Sequence, residues 1–361
     1  MKATLALSIL SEVMNWDDST CRREFAWLQL MAQYKFDRYR GFQPGVRFLE
    51  SLVGWLQQFR AEHRPIAYDF LRNRLLYISS DEISHLVEGI YSKEIRPRLV
   101  SELASALGVD PYRVWGHTDA VREYQRLLRQ CLFLGLSDGA RIDEFRRVNE
   151  GIISNEQVTT TVQLDSDKWM ELRDELRDAL DDVAAKFRFV FLLDDFVASG
   201  TTFLRLENGQ PKGKLVKFWT SVKDHSAELF SDDWVVHVVH YIASFEASEL
   251  LPARAAELEG GQCADLGRIE FGYGWILPAT LPVRATDHPF IDILSEYYDP
   301  SIETRHTGRD LWLGFKECAL PLVLEHNTPN NSIALLWAES RGKGDAHAMT
   351  PLFRRRQRHV S

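Results

Sequence analysis

Phe189-Val190-Phe191-Leu192-Leu193-Asp194-Asp195-Phe196-Val197-Ala198-Ser199-Gly200-Thr201-Thr202 is the stretch whose reading decides the fold. It begins as an unbroken apolar run of strand length. That pattern fits a strand buried on both faces, as in a parallel sheet covered by helices. Two carboxylates follow where such a strand leaves the core, and then a small, hydroxyl-rich turn around Gly200. In open α/β sheets, ligands lie at the carboxyl ends of strands. A glycine lets backbone amides approach an anion, and a helix N-terminus favours phosphate. Phe203-Leu204-Arg205-Leu206 is read as the continuation into that helix. Ser199, Thr201 and Thr202 add hydroxyls. Asp194 and Asp195 can accept from sugar hydroxyls or hold Mg2+ through water. A buried strand ending in a charged turn is the plain alternative. A Walker B strand is set aside, because the chain has no G-x-x-x-x-G-K-[ST] partner.

Upstream, Val158 to Leu164 is β-branched and reads as a strand. Asp165 to Asp167 cap a charged helix from Lys168 to Lys186 that feeds the acidic stretch, which makes a βαβ-like unit. A helix is expected from Asp119 to Gln130. It leads into a strand at Cys131 to Leu136, the turn Ser137-Asp138-Gly139-Ala140-Arg141 and a charged helix through Arg147. The amides at Gly139 and the cation of Arg141 suit an anion, and an ordinary loop is the alternative. Downstream, Glu207 to Gly213 is a strong turn, Lys214 to Asp224 a resumed helix, and Trp234 to Ile242 another buried strand. His237 and His240, three apart on that strand, face opposite sides and share no metal.

The acidic stretch resembles the PRPP-binding signature of type I phosphoribosyltransferases: an apolar strand, two acidic residues, then Thr or Ser, Gly, any residue, Thr. Ser199 stands where Thr is commoner. The resemblance implies that Asp194 and Asp195 contact the ribose, with Mg2+ alongside, and that Ala198, Ser199, Gly200, Thr201 and Thr202 cradle the 5′-phosphate. It also implies pyrophosphate at Ser137, Asp138, Gly139 and Arg141. The turn at Glu207 to Gly213 departs from the family, whose members carry a longer helix there.

Ala319 to Leu324 is apolar, followed by the polar turn Glu325-His326-Asn327-Thr328-Pro329-Asn330-Asn331-Ser332 and apolar Ile333 to Trp337. Asn and Pro make turns, so a hairpin or strand-to-strand connection fits. A ligand-reading loop fits as well, with His326 and Asn327 as base readers and His326 as a general acid or base. Together with Gly314 to Cys318 and the acidic signature, this turn resembles phosphoribosyltransferases of bacterial conflict systems, some of which accompany retron reverse transcriptases in antiphage defence. The implied activity is phosphoribosyl transfer, or cleavage of PRPP or a nucleotide. A non-catalytic PRPP or nucleotide sensor is the alternative. Implied partners are a retron reverse transcriptase with its DNA, a helix-turn-helix protein, or further copies of the chain.

The 361 residues suffice for two domains, and 45% hydrophobic with 26% charged residues is ordinary for a globular protein. The net charge of -9 does not advertise a nucleic-acid surface. Cys21, Cys131, Cys263 and Cys318 are scattered, which suggests isolated thiols in a reducing cytoplasm. The start, Met1 to Leu10, is read as a core helix, and no run is long enough to span a membrane. Helices are expected through residue 115, including Val46 to Phe59, Ile66 to Tyr77, Ile83 to Tyr91 and Pro97 to Leu107. They fit a helix-turn-helix or winged-helix module with Arg72, Arg74, Arg96 and Arg98 on phosphates, or a helical domain with a solvated face. The expected fold is therefore α/β: a type I phosphoribosyltransferase-like parallel sheet flanked by helices at 116–345, an all-α accessory domain at 1–115, and a basic flexible tail at 346–361.

Overall fold

The computed structural model describes residues 3–39, 47–258, 266, 268–284, 289–303, 308–342 and 347–355. The Gly41 to Gly45 break, Cys263 and the tail from Arg356 onward lie outside them. Among the described residues, no helix is long and apolar enough to cross a membrane.

Among the described residues the strands, in chain order, are β1 (Leu76–Ile78), β2 (Cys131–Gly135), β3 (Val158–Thr159), β4 (Phe187–Val197), β5 (Arg205–Glu207), β6 (Gln210–Lys212), β7 (Phe230–Ala243), β8 (Arg268–Ile276) and β9 (Leu322–Leu324). The chain forms two compact units, Ile83–Pro278 and Met1–Glu82 with Ala279–Ser361. These units divide the chain differently from the functional segments expected at 1–115, 116–345 and 346–361.

The unit Ile83–Pro278 holds the expected parallel sheet, with strand order β3-β2-β4-β7-β8 and every pairing parallel. β2 and the first part of β4 are apolar at nearly every position because both faces are covered. On one face Leu132, Leu134, Val190, Leu192, Val236 and Val238 share a core with Trp169, Leu215, Phe218 and Leu251, which come from the connecting helices. On the other, Phe191 stacks between Phe133 (5.2 Å) and His237 (4.8 Å). Helix Ser166–Leu180 starts as expected at Asp165, whose side chain accepts from the Lys168 amide at 2.8 Å.

Two local expectations in this unit are corrected. The strand foreseen over 158–164 is only the two-residue β3, and Thr159 Oγ1 bonds the Thr161 carbonyl in the loop that follows (2.9 Å). Phe203 to Leu206 does not continue as a helix. The chain turns and forms the β5–β6 hairpin, because Asn208 and Gly209 both take positive φ (54° and 74°), as a tight two-residue hairpin turn requires. Helix Lys214–Val222 begins only after it.

In the other unit, helices Ala3–Met14, Asp18–Tyr34, Phe48–Gln57 and Arg64–Asn73 share one core with residues from 283 to 353. Phe48 stacks on Phe353 (5.6 Å) and Phe70 on Phe290 (4.3 Å). The helix expected over 66–77 ends at Asn73, since Leu76–Ile78 pair in parallel with Leu322–Leu324. That partner is some 246 residues away in sequence, from Leu76 to Leu322, so helical spacing could not reveal it. The 325–332 turn leads from β9 to the short helix Ala334–Trp337, so it joins a strand to a helix rather than two strands. Arg72 lies over the Trp27 ring (4.2 Å), and Arg98 of the sheet-bearing unit pairs with Glu94 (3.5 Å) and Glu270.

The sheet core carries a stability prediction. Leu192 is fully buried in the middle of β4. Leu192→Ala should lower unfolding free energy by about 2–5 kcal/mol, read from urea unfolding followed by tryptophan fluorescence. A change within error would mean that β4 is not central to the core.

Candidate functional site at the carboxyl end of β4

Side chains alternate along a strand, so Asp194 and Asp195 leave β4 on opposite faces. Asp194 is only 2% exposed. The Ser137 hydroxyl donates to its Oδ1 and the Lys214 ammonium to its Oδ2. Burial, and then the neighbouring Asp195 charge, push the Asp194 pKa up to about 6, while Lys214 and Ser137 act in the opposite direction. Asp195 is half-buried, and its Oδ1 accepts from the Phe196 amide at 2.8 Å. Gly139 lies directly against this carboxylate, and a β-carbon there would overlap it.

The Ser137–Arg141 turn thus touches both aspartates. A second tie comes from β7, where the Tyr241 hydroxyl donates to the Ala140 carbonyl at 2.6 Å. Burial, and then the charge of Asp194, raise the Tyr241 pKa far above its ordinary value, so it stays a neutral donor. Arg141 adopts φ 46°, and its guanidinium pairs with Glu144 at 3.0 Å. Asp138 is exposed.

Beyond Val197 the strand end bends. Ala198, Ser199 and Gly200 are buried, and Thr202 is exposed. Gly200 has φ 68°, and its carbonyl accepts from the amides of Phe203 (3.1 Å) and Leu204 (2.9 Å). A β-carbon at Gly200 would sit 2.8 Å from Leu251 Cδ2 and 3.1 Å from Arg254 Nη1. The bend therefore needs glycine twice, for its backbone and for space. The Ser199 and Thr201 hydroxyls lie 3.0 Å apart. Helix Phe245–Ala256 and its cap brace the bend: Ser244 Oγ donates to the Ala198 carbonyl (2.7 Å) and Arg254 Nη1 to the Ser199 carbonyl (2.9 Å). The β5–β6 hairpin then brings the chain back, and the Lys214 amide bonds the Thr202 carbonyl at 3.1 Å.

The fold therefore brings Ser137 and Gly139 against Asp194 and Asp195, with Ala198 to Thr202 at the same strand end. His326 and Asn327 belong to the other compact unit, where both are half-buried. The Asn327 amide bonds the Leu324 carbonyl there (2.9 Å). Lys214, Tyr241, Ser244 and Arg254 join this locus without a motif of their own in the sequence. Only the placement of Lys214 just after an Asn-Gly turn hinted that it returns to the bend.

Carboxylate oxygens suit Mg2+. Half-buried Asp195 fits a role as its ligand through water. Both oxygens of Asp194 already accept from Ser137 and Lys214, so Lys214 would have to move for Asp194 to serve in the same way. Among the described residues, no group of three or more His, Cys, Asp or Glu side chains could hold a metal ion.

A family model described as PRTase-CE matches residues 52–355. No curated protein and no solved structure matches the chain.

The site also contains a buried base. His240 on β7 is in register with Asp194, and Tyr273 on β8 with His240. His240 is 1% exposed, its Nδ1 has no hydrogen-bond partner among the described residues, and the Phe203 ring meets it edge-on at 5.6 Å. Burial, and then the Lys214 charge, lower its pKa from 6.5 to about 3, so it is neutral when folded. Between those two values an unfolded chain binds a proton at His240 and the folded one does not, so this residue makes stability fall as pH drops from 6.5. His240→Gln should flatten the dependence of melting temperature on pH across that window. An unchanged slope would show that His240 is not held neutral.

Proposed function

Since the chain belongs to the PRTase-CE family and is phosphoribosyltransferase-like, we propose that it binds PRPP or a related ribose phosphate at the carboxyl end of β4. One observation carries this reading: Ser137 and Gly139 meet Asp194 and Asp195 at the point where the chain enters the Ala198 to Thr202 bend. Asp195 receives ribose hydroxyls, the bend receives the 5′-phosphate, and the turn from Ser137 to Arg141 receives the pyrophosphate. In the catalytic form of the proposal, cleavage at the anomeric carbon leaves positive charge on the sugar ring. The buried carboxylate of Asp194 and the half-buried one of Asp195 stabilise that charge from a site of low polarity. Mg2+ bound with the ligand would neutralise the departing pyrophosphate, with Asp195 as the residue offered to it.

A second reading is a PRPP or nucleotide sensor without turnover. It is favoured by Asp194, whose two oxygens are both engaged inside the fold and so serve the architecture of the site. The wider role we propose is that of a cytoplasmic effector in bacterial antiphage defence, partnered by a retron reverse transcriptase with its DNA or by a helix-turn-helix protein. The motif resemblance at the acidic stretch and at 314–332 supports it. Co-purification from cells containing the neighbouring genes would test the partner directly.

Calorimetry with PRPP and ribose 5-phosphate, with and without Mg2+, tests the site. Asp195→Asn should weaken binding by about tenfold to a hundredfold, as loss of a charge-assisted hydrogen bond does. Absence of binding by the wild-type protein under every condition would refute the proposal. Release of pyrophosphate from labelled PRPP with a nucleobase panel, or with water alone, separates enzyme from sensor.

A further inference from the structure

The hairpin after the bend is a closed excursion. Chain that leaves at Phe203 returns at Lys214, whose amide bonds the Thr202 carbonyl, while the Leu215 amide bonds the Phe203 carbonyl at 3.2 Å. The first residue of helix Lys214–Val222 is thereby fixed beside the last residue of the bend. Its side chain reaches back to Asp194 Oδ2. The Lys214 side chain is 23% exposed and that of Asp194 only 3%, so the lysine is the more accessible member of the pair.

The position is electrostatically unusual. A cation at the first position of a helix opposes the helix dipole, so the placement is unfavourable except where negative charge offsets it. Asp194 supplies one such charge. The N-terminus of this helix adjoins Thr202 through the Lys214 amide, and the Arg254 guanidinium donates to the Ser199 carbonyl, so two cationic side chains are held beside residues 198–202. An ammonium has three N–H donors, and its bond to Asp194 uses one of them.

We infer that Lys214 is a phosphate ligand of this site, its ammonium bridging the buried Asp194 carboxylate and the phosphoryl group seated on the 198–202 bend. The inference rests on the ribose-phosphate reading above and narrows it. The site takes sugars that carry a terminal phosphate, and it does so with a built-in cation, so ribose 5-phosphate binds without a divalent metal. Lys214 thus ties the acidic pair to the phosphate end of the ligand, a link that the signature motif does not contain.

The test must separate a phosphate contact from mere neutralisation of Asp194, since removing Lys214 alone leaves a buried carboxylate unpaired. Binding of ribose 5-phosphate is measured by calorimetry in EDTA for the wild type, K214R, K214Q, D194N and the double variant D194N/K214Q, each checked for folding by circular dichroism and melting temperature. The neutral amide of D194N no longer needs a counter-charge, so that background isolates the second role of Lys214. Wild type should bind, K214R should stay close to it, and K214Q should weaken binding about tenfold or more, with the same loss from D194N to D194N/K214Q. Equal affinity of D194N and D194N/K214Q would overturn the inference and leave the ribose-phosphate reading standing. Wild-type binding that appears only with Mg2+ would also overturn it. If D194N itself abolishes binding, K214Q decides at matched folding, and affinity like that of the wild type sinks the inference. Failure of the wild type to bind ribose 5-phosphate or PRPP, with or without Mg2+, would remove the underlying reading as well.

Discussion

A buried carboxylate sets the terms for the sheet-bearing unit. Asp194 follows the unbroken apolar run Phe189 to Leu193 of β4 and is itself buried, where an unpaired charge would cost several kcal/mol. The fold meets that requirement from two directions, with a hydroxyl from the turn after β2 and an ammonium from the helix after the β5–β6 hairpin. Both segments are thereby drawn to the carboxyl end of β4. The same two bonds that satisfy Asp194 assemble the turn, the acidic pair and the bend into one locus.

Around that locus the polar groups are divided by face. Asp194 and His240 share the face covered by the connecting helices, and His240 is kept neutral by burial. Asp195 leaves on the opposite face, against Gly139 and with partial access to solvent. Two adjacent aspartates of identical chemistry thus acquire different duties: one holds the architecture, and the other is accessible to a ligand. Tyr241 and Arg254 add bonds to backbone carbonyls of the turn and the bend, so that both are braced by the elements behind them.

The acidic signature was legible because its physics is local. An apolar run followed by carboxylates, small residues and glycine describes a buried strand leaving a sheet, whatever surrounds it. The same holds for the β2 strand and its turn, and for helix Ser166–Leu180 with its Asp165 cap. Phe203 to Leu206 departs from the expected helix for a related reason: apolar spacing allowed a helix, but the Asn208-Gly209 turn two residues after Leu206 imposed antiparallel pairing. The strand Leu76–Ile78 was invisible because its partner, Leu322–Leu324, comes from the far end of the chain.

By itself the sequence determined a parallel sheet with helices and where along the chain the strands β2, β4 and β7 lie, and it singled out the carboxyl end of β4 as the candidate site. Those follow from residue periodicity and from the few residue types that turns tolerate. Tertiary structure decided which aspartate is enclosed, that Lys214 returns to the bend, and that the sequence after Pro278 joins the first helices in a common core. These features depend on contacts between residues distant along the chain, and such contacts leave no periodic trace in either partner.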